Sequence, residues 1–260
     1  MIISTNSSFS QEITEENYIK ADNEIWNAYE EKMSKLSEFY KSYPKKKDSL
    51  TLVAERLEKE SNKKNIETAI KYSSTLSGFK RLYMLRLDIP KNRLNSILKK
   101  LPKELQESNY GKSIKLHIDS KQIGERDSIY DFKSTDSNGY QFYLSNLKGK
   151  NILLLYGGLG CIREEGRNYL KDFYNSVDKN NFKIVVVNST SNIEELKNLK
   201  TKYQLDFIFI DDFKKDHSPI KIIYGAQATP TCFIINKEGT IAKKSFGLPE
   251  TELNKIKASR

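Results

Sequence analysis

Cys161 stands in the segment Gly157-Gly158-Leu159-Gly160-Cys161-Ile162-Arg163-Glu164-Glu165-Gly166, after the apolar run Ile152–Tyr156 and before a stretch with helical periodicity. A thiol near a helix N-terminus meets unsatisfied backbone N–H groups and the positive end of the helix dipole, and both favour thiolate over thiol. The thiolate is the attacking species in thiol–disulfide exchange, so that is the chemistry this position suggests. Arg163 adds to the bias, while Glu164 and Glu165 oppose it by like-charge repulsion. Downstream, Ala228-Thr229-Pro230-Thr231-Cys232 leads into another apolar run. A proline entering a central strand forfeits a ladder hydrogen bond, and a cis Thr229–Pro230 bond facing the cysteine would account for it. Cys232, two residues beyond Pro230, is a candidate second thiol on that residue's face. Its plainer reading is a small apolar core residue.

Regular elements must hold these groups. After Ile123-Gly124, alternating segments flank Ser137-Asn138-Gly139, a hairpin signal because Asn and Gly tolerate positive φ. Ile152–Tyr156 predicts a buried strand, and Leu170, Phe173, Tyr174 and Val177 share one face of a helix. A strand over Ile184–Val187, a helix over Ile193–Leu199 and a strand over Phe207–Ile210 follow. Strands over Cys232–Ile235 and Thr240–Phe246 flank Lys237-Glu238-Gly239, and a last helix starts at Pro249. The pattern predicts an α/β unit with a mixed sheet flanked by helices.

The N-terminal half reads differently. Ile25, Trp26, Tyr29, Met33, Leu36, Phe39, Tyr40 and Tyr43 recur at three- and four-residue steps over Glu24–Tyr43, and Pro44 ends that helix. Leu50, Val53 and Leu57, then Ile66, Ala69 and Ile70, then Phe79, Leu82, Tyr83 and Leu85 keep the period. Pro90 suits a first helical turn before Leu94, Ile97, Leu98 and Leu101. The expectation is an all-α module of short helices over 15–124, with 1–14 disordered or a linker and 125–260 the α/β unit. The aromatic stripe reads as core.

Composition sets limits. With 37% hydrophobic, 11% aromatic and 30% charged residues, the 260-residue chain is globular rather than disordered, and its length suits two domains. No run approaches the roughly 18 apolar residues of a membrane helix. The net charge is +10, but residues 126–260 carry 21 basic and 16 acidic side chains and residues 1–125 carry 23 and 18. Each half is therefore equally basic, no basic arm stands out, and a nucleic-acid partner is not expected. Lys45–Lys47 reads as solvated surface beside a turn. The two cysteines rule out a disulfide framework. The two histidines, His117 and His217, stand at no zinc spacing from them, so no metal is expected. His117 reads as a packed or surface residue and His217 as a solvated one. Met1-Ile2-Ile3 runs into Ser4, Thr5, Asn6 and Ser7 without the regions of a signal peptide, so the expectation is an intracellular protein or one whose leader lies outside this sequence.

Over about residues 128–260 the chain resembles the TlpA-like group of thioredoxin-fold proteins, within the wider redoxin superfamily. Leu147-Lys148-Gly149-Lys150 resembles that family's lead-in to the first central strand. Ala228-Thr229-Pro230-Thr231, with Phe233-Ile234-Ile235-Asn236 and Gly239, resembles its cis-proline strand and turn. Leu94–Gly111 is similar to the helical region preceding this domain in larger Bacteroides-type relatives, which usually carry a leader and an N-terminal β domain that this sequence lacks. The resemblance implies a thioredoxin-like fold with an N-terminal β-hairpin preceded by the helical module. It implies a thiol–disulfide oxidoreductase of the periplasm or cell envelope, with a cytoplasmic location as the alternative. It implies protein or peptide thiols and disulfides as partners, and no cofactor.

The departures limit the activity. Family enzymes use W-C-x-x-C, whose first thiolate attacks and whose second resolves the mixed disulfide. Counted from Gly149-Lys150, Cys161 takes the attacking position, Gly160 the tryptophan and Glu164 the resolving cysteine; counted back from Phe173-Tyr174, the register shifts. No register restores C-x-x-C. The buried acid that usually precedes the motif falls on Leu155, which cannot accept the resolving proton. Three readings stay open. In the first, Cys161 is a monothiol nucleophile modulated by Arg163 and Glu164 and resolved externally or by Cys232. In the second, the domain is redox-inactive and the groove at Thr229 and Pro230 binds peptides or partner proteins. In the third, Gly157–Gly166 cradles phosphate, but it lacks the third glycine and any G-K-[S/T]. A peroxiredoxin would want Thr or Ser where Gly158 stands.

Overall fold

Thr14 starts the first helix by accepting a hydrogen bond from the Asn17 amide at 3.2 Å, with Glu15 and Glu16 following in the positively polarised first turn. In the computed structural model, which describes residues 12–43, 45, 47–157 and 159–258, this helix, α1, spans Glu15–Ser42. The next, α2, spans Lys47–Lys71. The sequence predicts shorter pieces, the first from Glu24. α1 extends further because Tyr18 is buried with its ring 5.9 Å from that of Tyr72, and because Arg81 pairs with Asp22 at 3.2 Å. α2 is unbroken because Lys47–Lys71 contains neither glycine nor proline. Pro44 and Lys46 lie outside the described residues, as does the expected linker through residue 11.

Thr75 caps α3 (Leu76–Met84), accepting from the Gly78 amide at 3.1 Å. The remaining helices of this unit are α4 (Lys91–Leu98), α5 (Lys103–Glu107) and α6 (Asn109–Asp119). Pro90 and Pro102 occupy the N-cap positions of α4 and α5, one place before the first turn predicted for Pro90. Phe79, Leu82, Tyr83, Leu94, Leu98 and Ile114 form the core. The aromatic stripe of α1 is core only at Tyr18; Phe39, Tyr40 and Tyr43 are exposed. His117 on α6 is buried, and that burial, with Lys91 and Arg86 nearby, pushes its imidazole down to about 4.

The chain divides into two compact units at Ile118/Asp119, earlier than the expected boundary at 124/125. The intervening stretch joins the second unit, where the Ile123 amide donates to the Ile223 carbonyl at 3.0 Å. That unit begins with the predicted hairpin, β1 (Ser134–Asp136) and β2 (Gln141–Phe142). Next come β3 (Asn151–Tyr156), α7 (Arg163–Ser176), β4 (Phe182–Val187), α8 (Ile193–Tyr203) and β5 (Ile208–Asp211). A short α9 (Pro219–Ile222), which periodicity did not predict, precedes β6 (Thr231–Ile235), β7 (Ile241–Phe246) and α10 (Glu250–Ala258).

The strands form one sheet in the order β2-β1-β5-β4-β3-β6-β7. β3, β4 and β5 run parallel, and the rest pair antiparallel. This is the thioredoxin-like arrangement: a mixed sheet with helices on its faces and a hairpin at its start. Leu153, Leu155, Ile184, Val186 and Phe209 pack against Leu170, Phe173 and Tyr174 of α7 and Leu196 of α8. Phe173 meets Phe182 edge-on at 5.2 Å and Tyr174 meets Phe207 at 5.4 Å, which ties α7 to the sheet. The consequence for chemistry lies in the register. Tyr156, the last residue of β3, pairs with Thr231, the first of β6, so whatever follows β3 meets whatever precedes β6.

Candidate active site

Beyond Tyr156 the chain must turn at once, and Gly157 does so with φ at +62°, its amide donating to the Val187 carbonyl at 2.6 Å. A methyl group there would come within 2.9 Å of Thr229 Cγ2, so the two loops already touch. Gly158 lies outside the described residues. Leu159 is buried, and its carbonyl accepts from Arg167 of α7 at 3.0 Å. The same guanidinium lies 5.6 Å from the Tyr203 ring centre, fixing the loop between α7 and α8. Cys161 follows, exposed, at the entrance to α7. Ile162 is the N-cap of α7 and offers no side-chain hydrogen bond, which leaves first-turn amides to partners outside the helix. Ile162 packs closely over Gly166, where a Cβ would meet it at 2.9 Å.

From the opposite side, Thr229 brings its hydroxyl to 3.5 Å from the Cys161 sulfur. The Thr229–Pro230 peptide is cis, and the Pro230 carbonyl accepts from the Gly247 amide at 2.9 Å. The structure therefore brings Cys161, Thr229 and Pro230 to one edge of the sheet. Arg163, Glu164 and Glu165 are exposed in the first turn of α7, with Arg163 in the left-handed region at φ +55°.

Cys232 goes elsewhere. It is fully buried in β6, opposite Leu155 of β3, and belongs to the apolar cluster under α7. Burial pushes its thiol up to about 12, so at neutral pH it is a protonated hydrophobe. Both cysteines are free thiols. Leu155, on which the resemblance would place an acid, is likewise fully buried. His117 lies in the other unit, and His217 sits half-buried in a short 3-10 turn, Lys215–His217. Among the described residues no helix is long and apolar enough to cross a membrane.

Two features had no signature in the sequence. One is a groove of about 390 Å³ beside the cysteine loop, whose walls include Gly160, Asn188, Tyr203, Asp216, Lys221 and Thr229. These residues come from separate elements that meet at the edge where β3 and β4 end and β6 begins. The other is Asp211, a buried carboxylate at the end of β5 that accepts from the Thr190 amide, from the Thr190 hydroxyl at 2.7 Å and from the Phe213 amide at 2.8 Å. Desolvation raises its pKa against the opposing pull of those hydrogen bonds. It shapes the 211–218 loop that carries Asp216.

The AhpC/TSA family model matches residues 126–244, which hold every element from the hairpin to β6, the first part of β7 and both halves of the site. That stretch is an AhpC/TSA-family domain. The thiol-disulfide oxidoreductase ResA of Bacillus anthracis is 29% identical over 128 residues, covering 48% of this chain and 70% of the relative. ResA of Bacillus subtilis is 28% identical over 126 residues, covering 48% and 69%. Solved structures of similar shape include the thioredoxin domain of a thiol-disulfide oxidoreductase from Bacteroides vulgatus, with TM-score 0.47, 19% identity, and coverage of 53% of this chain and 99% of that one. A thiol-disulfide oxidoreductase from Bacteroides fragilis gives TM-score 0.46 and 19% identity, covering 52% and 100%. The AhpC/TSA domain of this chain is thus a thioredoxin-like, thiol–disulfide oxidoreductase-like domain of the TlpA-like kind, joined to a helical unit of about 120 residues.

Proposed function

We propose that the AhpC/TSA domain is a divergent thiol–disulfide exchange module of the cell envelope that works through one thiol, Cys161. The observation that carries this reading is the exposed Cys161 sulfur at the entrance to α7, with the Thr229 hydroxyl 3.5 Å away and the cis Thr229–Pro230 peptide beside it. The Cys161 thiolate attacks one sulfur of a disulfide, the S–S bond breaks, and a mixed disulfide forms as the other half leaves as a thiolate. With Glu164 exposed one helical turn along and Cys232 buried, release of the captured half falls to a second thiol from outside the chain. Partners are peptides or proteins bearing thiols or disulfides, held along the Thr229–Pro230 edge. An oxidising compartment, where such bonds persist, is the setting that gives the reaction use.

The test is to mix the full chain with glutathione disulfide and follow intact mass, alongside Cys161→Ser. The expected result is one adduct per chain, absent in C161S and removed by added free thiol. If wild-type protein forms no adduct with glutathione disulfide or with an aromatic disulfide, the redox reading is overturned. A peptide that still binds the Thr229–Pro230 edge would then support a redox-inactive binding module.

A further inference from the structure

The groove beside the Cys161 loop is lined by groups of both charges and by several neutral polar ones. Lys221 donates a hydrogen bond to Asp216 and forms an ion pair with it, with side chains 20% and 50% exposed, and both line the groove. Asn188, which donates its side-chain amide hydrogens to the Val186 and Ile210 carbonyls at 3.1 and 3.4 Å, also lines the groove. The Tyr203 hydroxyl lies 3.5 Å from the Cβ position of Gly160, at the wall nearest the cysteine loop. Thr229 is common to both places, lining the groove and touching the Cys161 sulfur. A volume of about 390 Å³ is near the lower end of the ~300–1,000 Å³ typical of small-molecule pockets.

A matched Lys–Asp pair disfavours a simple anion, because Asp216 repels whatever Lys221 attracts, and it disfavours a simple cation for the converse reason. A ligand carrying both charges on neighbouring atoms can part the pair and give each member a new partner. The α-carboxylate and α-ammonium of an amino acid meet that requirement. We propose that this groove receives the amino-acid end of a low-molecular-weight disulfide of the cystine type, Lys221 taking its carboxylate and Asp216 its ammonium. The proposal rests on Cys161 being the exchanging thiol and names its substrate class. The Cys161 thiolate attacks the near sulfur of cystine, the cystine S–S bond breaks, and a Cys161–half-cystine disulfide forms. Free cysteine leaves as its thiolate and takes a proton from water. A second cysteine thiolate reverses the capture and regenerates Cys161 with release of cystine, or a protein thiol takes up the half-cystine.

The experiment measures adduct formation on the full chain with L-cystine and, in parallel, with hydroxyethyl disulfide, which bears no charge. Wild-type protein is expected to saturate with cystine and to respond linearly to hydroxyethyl disulfide. In Lys221→Met the ratio of the cystine rate to the hydroxyethyl disulfide rate is expected to fall at least about tenfold, the effect of losing one charge-assisted hydrogen bond. Tyr203→Phe gives a second reading of the same ratio should K221M fail to fold. Equal, unsaturable rates with both disulfides, or a ratio unmoved in the folded variants, overturn the proposal and leave Cys161 as an exchanging thiol. Absence of any adduct with either compound overturns the exchange reading itself.

Discussion

The Thr229 hydroxyl and the Cys161 sulfur stand 3.5 Å apart, although 68 residues separate them in the chain. The contact exists because β3 and β6 are neighbours whose facing ends are Tyr156 and Thr231. A hydroxyl at that distance can donate to a thiolate, and no apolar replacement can. Thr229→Val is expected to slow Cys161 disulfide exchange about three- to tenfold at neutral pH, the worth of one hydrogen bond. Thr229→Ser restores most of the rate. Stopped-flow reaction with an aromatic disulfide measures both, and equal rates for wild type and T229V would remove the hydroxyl from the mechanism.

Cys232 sits on the core side of the same sheet and is expected to be silent. Thiol titration of native protein should count one reactive cysteine, rising to two in denaturant. Cys232→Ala should keep the Cys161 rate while lowering stability by about 1 kcal/mol, through the small cavity left in the cluster under α7. A native count of two, or loss of exchange in C232A, would return Cys232 to the chemistry.

Gly157 joins two constraints, a left-handed φ of +62° and a Cβ position 2.9 Å from Thr229 Cγ2. Gly157→Ala is expected to cost roughly 1–3 kcal/mol in backbone strain and crowding. Because the displaced neighbour is Thr229, exchange at Cys161 should slow as well. Urea unfolding and the same stopped-flow assay read the two effects, and an unchanged urea midpoint would contradict the geometry.

His117 gives the helical unit a pH dependence. Its folded pKa, about 4, lies below the ordinary value near 6.5, so between these the unfolded chain binds the proton and the folded chain does not. Stability from this group is therefore fully present above about pH 6.5 and declines as pH falls towards 4, by on the order of 3 kcal/mol in total. Thermal unfolding followed by circular dichroism should show that slope in wild type and a shallower one in His117→Gln. A slope unaltered by H117Q would assign the dependence to other groups.

The sequence alone determined the α/β character of residues after Ile123 and the position of every long strand, because apolar runs such as Ile152–Tyr156 and Ile184–Val187 are strand-sized and bounded by turn residues. It also showed that no second cysteine follows Cys161 at C-x-x-C spacing. It misjudged the lengths of α1 and α2. Periodicity locates a buried face, whereas a helix persists wherever capping, propensity and a distant contact such as Tyr18 against Tyr72 sustain it. For Cys232 the sequence left two readings, a second thiol or a core residue, with core the plainer, and the tertiary structure decided for core by burying it under α7. It also decided that Asn188, Tyr203, Asp216 and Lys221 share a groove with Thr229. Those residues have no common spacing, and their meeting follows from the order in which parallel and antiparallel strands end at one edge.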